Sequence, residues 1–304
     1  LTTAPQAATL TGYTQGELEH YFAPYFPAAM AALELSEPVL LDQLQEWYNG
    51  YSWDTRHHVY NPFAILNFFS FNDFRNFWFE SGTPTFLPQL MKAQQVFEID
   101  DLELDELAFS SYSIEKLQVI PILFQTGYLT LKSREEYGFY RLGYPNREVR
   151  SSMMAYLIGE MRHAEPSLST PTVVYLHKAF LANDIEQVIE LIKTIFKNIP
   201  SQIFIKEAES YYHSLIYLVF YYLGQYSESE VNTNNGRLDC VVKTPERIYV
   251  IEFKLNKTAA EALQQIKDKC YADKYRGLNQ PVYLIGVEFS KARRNIVGFE
   301  FDQA

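Results

Sequence analysis

From residue 14 onward, apolar and polar positions recur at helical spacing. Thr14 followed three residues later by Glu17 is a capping-box pattern, with Leu18, Phe22 and Tyr25 as the apolar positions behind it. Leu40 to Trp47 repeats the spacing and stops at Asn49-Gly50, a pair suited to a helix end or turn. Another helix is predicted from Tyr60-Asn61-Pro62-Phe63, because proline is pre-set for a first helical turn. Phe77-Trp78-Phe79 leads to a turn at Ser81-Gly82-Thr83-Pro84 and then a short apolar helix. Residues 118–143 read as short strands, Tyr128–Lys132 and Tyr137–Leu142. Over 172–198 the spacing is that of a helical hairpin, its second helix capped by Asn183-Asp184.

Past Pro200-Ser201 the pattern changes. A helix over Glu207–Leu223 is followed by strands at Ser229–Thr233, Arg237–Lys243 and Arg247–Leu255. Thr258 and Glu261 form a second capping box, opening a helix that runs to about Tyr275. Pro281–Phe289 and Asn295–Phe301 complete the chain as strands. The order α-β-β-β-α-β-β predicts an α+β (mixed α/β) domain over 201–304, with a central sheet flanked by helices. Residues 1–200 form a separate, mostly helical region. No repeat of fixed period is visible.

Composition supports two units. The chain has 304 residues, 47% of them hydrophobic and 21% charged, which excludes a disordered or collagen-like protein. Its net charge of −11 falls entirely in residues 1–200, with 13 basic and 24 acidic residues, while 201–304 hold 13 of each. Such a balance argues against a protein that simply coats nucleic acid. Phe and Tyr are abundant, at 22 and 23 residues. The clusters between Trp47 and Phe86 suit core packing or a base-stacking platform, and the lack of closely interleaved Lys and Arg, with Arg56 and Arg75 the two present, favours the core. Two cysteines, Cys240 and Cys270, cannot make a disulfide framework or a structural zinc site, so a reduced, cytoplasmic setting is expected. Both read as core residues, Cys240 on a strand and Cys270 on a helix. The longest apolar runs, such as Leu215–Leu223, are too short to span a bilayer, so no membrane partner is expected. The chain opens Leu1-Thr2-Thr3 without Met or a signal-peptide pattern, and is expected to be a piece of a longer protein.

The chemistry concentrates on two predicted strands. Alternation sets Asp239 on the face opposite Leu238 and Cys240, and Glu252 and Lys254 on the face opposite Ile251 and Phe253. A turn centred on Pro245-Glu246 pairs Asp239 directly with Glu252. Carboxylates so paired have β-carbons roughly 5 Å apart and repel each other unless a cation lies between them. Hard oxygen ligands suit Mg²⁺ or Mn²⁺. Lys254 would then set an ammonium where an attacking water or developing phosphate charge needs it. The same alternation also describes a solvated sheet face in which Lys254 simply neutralises Glu252.

Gly236-Arg237-Leu238-Asp239, Ile251-Glu252-Phe253-Lys254 and the helix before them resemble the PD-(D/E)XK nuclease superfamily, in its branch fused to an AAA-ATPase-like domain. The resemblance implies Asp239 and Glu252 as metal ligands and Lys254 as the residue assisting the hydrolytic water. It further implies Glu209 as an accessory acidic residue and Gln265 as an accessory polar one. Upstream, Trp47-Tyr48-Asn49-Gly50-Tyr51, Tyr60-Asn61-Pro62-Phe63 and Gly143-Tyr144-Pro145-Asn146 resemble the C-terminal part of the ATPase-like domain. No G-x-x-x-x-G-K-[ST] is present, and Gly138 to Gly143 continues into Tyr144-Pro145, so no ATP is expected on this chain.

The function so implied is a Mg²⁺- or Mn²⁺-dependent phosphodiesterase cutting DNA or RNA, with Arg237, Lys206, Lys257, Lys267, Lys269 and Lys274 as phosphate contacts. The other reading is a catalytically silent binding module within a homo-oligomer or an ATPase-driven assembly. His57-His58 reads as an exposed turn rather than a metal pair. His213, one turn after Glu209, reads as a packed or hydrogen-bonded histidine.

Overall fold

The capping box at Thr14 forms: the Glu17 amide donates to Thr14 Oγ1 at 3.3 Å, and the Thr14 amide donates to Glu17 Oε2 at 2.8 Å. It opens α1 (Gln15–Phe22), followed by α2 (Phe26–Leu33), α3 (Glu37–Tyr48) and α4 (Pro62–Phe71). Pro62 takes the first turn of α4, where the Asn61 side chain accepts from the Phe63 and Ala64 amides at 2.9 and 3.3 Å. These helices enclose Leu18, Leu40, Leu44, Tyr48, Tyr60 and Phe68, all fully buried. Phe22 stacks on Phe69 at 5.1 Å, and Trp47 on Phe74 at 5.7 Å. The aromatic concentration between Trp47 and Phe77 therefore builds a core, the favoured expectation. The computed structural model describes residues 5–78, 86–106, 108, 118–162, 169–197, 208–224, 226–234 and 237–304. The turn expected at Ser81–Pro84 lies outside them.

Next come α5 (Phe86–Gln94), β1 (Leu102–Asp105), α6 (Val119–Gln125), β2 (Thr130–Arg134) and β3 (Phe139–Gly143). The three strands form an antiparallel sheet in the order β1-β3-β2. β1 was not anticipated, and β2 begins two residues later than the apolar pattern suggests. The cause is local: the Leu123 carbonyl at the end of α6 accepts the Tyr128 and Leu129 amides at 2.7 and 3.0 Å, so the ladder starts only at Thr130. α7 (Arg147–Arg162) follows, and within it the chain divides into two compact units, Leu1–Met153 and Met154–Ala304.

The second unit contains the helical hairpin of α8 (Ser169–Ala182) and α9 (Ile185–Lys197), which the sequence pattern sets before residue 200. Asn183 takes a positive φ of 56° between them, and Asp184 Oδ1 accepts the Gln187 amide at 2.9 Å, capping α9. Then come α10 (Ala208–Leu223), β4 (Glu228–Asn234), β5 (Arg237–Lys243), β6 (Ile248–Leu255), α11 (Ala259–Asp268), β7 (Val282–Ser290) and β8 (Asn295–Gln303). The five strands lie in sequential order, antiparallel except for the parallel pair β6-β7, which α11 connects. This is the mixed sheet flanked by helices that the sequence predicts.

Both faces of the sheet are covered. On one, Val241, Val250 and Leu284 pack with Leu263 and Ile266 of α11. On the other, Phe253 meets Phe220 of α10 at 6.0 Å, Tyr249 meets Phe180 of α8 at 4.9 Å, and Phe289 meets Phe196 of α9 at 4.9 Å. β6 is consequently buried from Ile248 through Phe253, and Glu252 is the one carboxylate in that run.

α11 ends earlier than the expected Tyr275. Cys270 adopts a positive φ of 53° just after the helix and is exposed, which corrects its reading as a core residue. Cys240 is buried, as alternation implies.

Candidate metal centre on the five-stranded sheet

The hairpin geometry holds. β5 and β6 pair Lys243 with Ile248 across a four-residue turn closed by Thr244 and Arg247, and the same register sets Asp239 directly opposite Glu252. Asp239 shares its strand alternation with Val241, and Glu252 with Val250, two residues that pack under α11. The two acidic positions therefore lie on the α11 face of the sheet. The side chains of Asp239 and Glu209 fall outside the described residues; Glu209 belongs to the first turn of α10.

Glu252 is fully buried. Lys254, two residues along the same strand face and only 11% exposed, brings Nζ to 2.6 Å from Glu252 Oε1. Gln265 on α11 donates from Nε2 to that same oxygen at 2.5 Å. A carboxylate removed from water is costly unless paired and hydrogen-bonded, and these two contacts supply both conditions. Gln265, which the resemblance implies as an accessory polar residue, is thus in direct contact with Glu252.

What lets α11 approach is Gly286, the parallel partner of Glu252 on β7. A β-carbon there would run into the Ala259 carbonyl, and into the Leu263 amide at 2.5 Å and its Cα at 3.0 Å. All three obstacles are backbone, so no rotamer change could relieve them. The capping box at Thr258, with Glu261 Oε2 accepting the Thr258 amide at 2.9 Å, fixes where the helix begins. Gly286 and Thr258 together set the height and phase of α11, and hence the position of Gln265.

Glu288 occupies the register position beside Lys254 and is half-buried, with its carboxylate toward Gly298. The sequence reading passed over Gly286 and Glu288. Their signal is the period-two alternation of Leu284, Gly286 and Glu288, which repeats that of Val250, Glu252 and Lys254 one strand away.

The expected phosphate contacts fare unevenly. Lys257 is exposed beside the start of α11. Lys267 is engaged by Asp302 at 2.6 Å. Lys269 and Lys274 lie over the Tyr271 and Tyr275 rings at 5.7 and 4.8 Å. Lys206 and the Arg237 side chain lie outside the described residues. His213 borders a pocket of about 20 Å³ with Tyr212 and Lys254, room for about one water. His57 Nδ1 sits 2.6 Å from Asp54 Oδ2, within its own loop. Among the described residues, no three His, Cys, Asp or Glu side chains converge as a metal site.

An α-β-β-β-α-β-β unit built around a mixed five-stranded sheet is consistent with a nuclease-like α+β architecture. Residues 207–299, spanning α10 to β8, match the family described as the PD-(D/E)XK nuclease superfamily, and this segment is a domain of that superfamily. The chain is also similar, at 36% identity over 304 residues, to a protein described as an uncharacterized protein in the vnfD 5′ region of Azotobacter chroococcum mcd 1. That similarity covers 96% of this chain and 56% of the relative, so the chain spans little more than half the relative's length.

Proposed function

We propose that this chain carries a metal-dependent phosphodiesterase site that hydrolyses DNA or RNA. The observation that supports it most directly is Glu252, fully buried, facing Asp239 across the ladder and held by Lys254 and Gln265. Two carboxylate residues at directly opposed ladder positions make a hard-oxygen donor set suited to Mg²⁺ or Mn²⁺. In this reading Asp239 and Glu252 hold the metal, with Glu209 as an accessory ligand. The bound cation would supply polarisation of a phosphoryl oxygen and a lowered pKa for a coordinated water. Lys254 directs its ammonium at the reacting phosphate and stabilises the charge that develops there. Gln265 is a positioning residue that fixes the Glu252 rotamer. Arg237 and Lys257 contact the nucleic-acid backbone; Lys267 would do so only by leaving Asp302.

Residues 1–200 are proposed to be the C-terminal part of an ATPase-like domain without its P-loop, serving in the cytoplasm within a homo-oligomer or an ATPase-driven assembly. A second reading, a catalytically silent nuclease-fold binding module, draws on the 2.6 Å Lys254–Glu252 pair, which a purely structural neutralisation would also produce.

Calorimetric titration of Mn²⁺ into the wild-type chain and Asp239→Ala tests the site. Saturable binding that disappears in Asp239→Ala, with divalent-dependent cleavage of single-stranded DNA, duplex DNA or RNA that Lys254→Ala abolishes, supports the enzyme. Metal binding without cleavage of any of the three favours the silent module. Absence of metal binding, with or without nucleic acid, refutes the nuclease reading of this chain.

A further inference from the structure

The first unit is strongly acidic: residues 1–153 hold nine Lys and Arg against nineteen Asp and Glu. Three of those nine, Lys132, Arg147 and Arg150, nevertheless converge on one cleft of about 340 Å³. His58, Asn49 and Asn146 also line it, and its carboxylates are Glu46 and Asp100. Asp100 is partly committed to the backbone, accepting the Tyr144 amide at 3.0 Å. Glu46 lies 3.1 Å from Arg147, whose guanidinium also covers the Trp47 ring at 4.8 Å. Strong cations thus outnumber carboxylates here, in a unit whose carboxylates as a whole outnumber its cations by about two to one.

The placement of the arginines is also telling. Arg147 and Arg150 occupy the first turn of α7, where the helix dipole favours negative charge. Glu148 in the same turn is fully buried and accepts the Trp78 amide at 2.7 Å, whereas Arg147 and Arg150 line the cleft, where an anion would offset their opposition to the dipole. The arginines repel one another as well. Lys132 is exposed to solvent yet surrounded by protein atoms, as a side chain lining an open cleft is. That crowding pushes it below the ordinary lysine value; Asp100 opposes the shift and Arg150 adds to it. His58 is likewise pushed down, first by burial and then by the Lys132 charge, with Asp54 acting the other way. An anion in the cleft would relieve each of these repulsions.

The cleft is built rather than incidental. Gly50, at φ +101°, lets the chain turn directly beneath Pro145, whose carbonyl a β-carbon would strike. Lys132 Nζ donates to that Pro145 carbonyl at 3.3 Å, and Asn146 Oδ1 caps α7 by accepting the Val149 amide at 3.1 Å. A volume of this size suits a small molecule rather than a polymer. Guanidinium groups with a lysine and side-chain amides are the donor set of phosphate recognition.

We propose that this cleft binds a small phosphate-bearing anion, using Lys132, Arg147 and Arg150. The site lies wholly within the first unit and needs no P-loop. Inorganic phosphate and pyrophosphate, titrated calorimetrically into the full chain at low salt, are the probes. Wild-type protein is expected to bind pyrophosphate saturably, and Lys132→Gln and Arg150→Gln to weaken it about tenfold each, the loss of one charge-assisted hydrogen bond. Arg134→Gln, an exposed cation at the end of β2, should change nothing. Should a cleft variant fail to fold, the wild-type chain still decides: saturating pyrophosphate should raise the His58 titration midpoint followed by NMR. Absence of saturable binding, equal affinity in folded Lys132→Gln and Arg150→Gln, or an unmoved His58 midpoint overturns the proposal.

Discussion

Gly286→Ala puts the packing of α11 to a quantitative test. The new methyl would sit against the Ala259 carbonyl and within 2.5 Å of the Leu263 amide nitrogen. Because these are backbone atoms of a helix whose start is fixed by the Thr258–Glu261 box, relief requires α11 to move off the sheet as a body. Overpacking of this kind costs about 1–3 kcal/mol. For a unit of this size, the melting temperature should fall by about 2–4 °C per kcal/mol. Gly298→Ala is the matched control on the neighbouring strand β8. Its β-carbon would meet only the Glu288 side chain, with Oε2 at 3.4 Å, so the flexible carboxylate can swing aside. That change should stay within about 0.5 kcal/mol of wild type. Differential scanning calorimetry of the three proteins measures the contrast, and hydrogen exchange of the α11 amides should accelerate in Gly286→Ala alone. Equal melting temperatures for the two alanine variants, with unchanged exchange in α11, would refute the claim that Gly286 sets the helix height.

Two further outcomes follow from contacts elsewhere. Tyr249 is fully buried, and its hydroxyl lies 2.8 Å from the Phe180 carbonyl and 2.9 Å from Asn183 Oδ1, so Tyr249→Phe removes the one hydroxyl proton that these two acceptors share, while the Phe180 carbonyl keeps the Asn183 amide at 3.1 Å. The loss should be about 1–2 kcal/mol, read as a lower urea midpoint at constant slope; an unmoved midpoint would show that the hydroxyl contributes nothing. Burial acts to raise the Asp54 carboxyl, but the His57 amide, the His57 imidazole and the Arg56 amide outweigh it and hold the group at about 2, below its ordinary 3.8. A depressed carboxylate stabilises the fold above its unfolded value and loses that contribution as acid protonates it in the folded state. The stability gap between wild type and Asp54→Asn, about 1–2 kcal/mol for a carboxylate whose side chain is only 3% exposed, should therefore be full near neutrality and close between pH 3.8 and about 2; a gap independent of pH in melts over that range contradicts the assignment.

Much of the second unit was legible because its signals are local. Period-two alternation fixed the strand faces, the Thr258–Glu261 spacing fixed a helix start, and a turn centred on Pro245-Glu246 fixed the Asp239–Glu252 register. Each depends on residues within about a dozen positions of one another, so neighbouring side chains and backbone sterics suffice to determine it. The same locality misled at Tyr128, where an apolar run reads as strand but a carbonyl from the preceding helix claims its amide. It misled again at Cys270, which helical spacing placed in a core that the helix does not reach.

What only the tertiary structure decided are meetings between distant segments. Gln265 reaches Glu252 because Gly286, on a third element, leaves space for α11, and nothing in the spacing of these residues encodes a helix height. Lys132, Arg147 and Arg150 look in sequence like scattered charges of an acidic region. They share a cleft because Gly50 and Pro145 bring two loops into contact across nearly a hundred residues of chain. The sequence by itself determined most of the secondary structure of the second unit, the faces of its strands and the Asp239–Glu252 register, through short-range sterics and periodicity. Close packing of separate elements, a property of three-dimensional volume rather than of order along the chain, decided which side chains stand beside that pair and where positive charge collects.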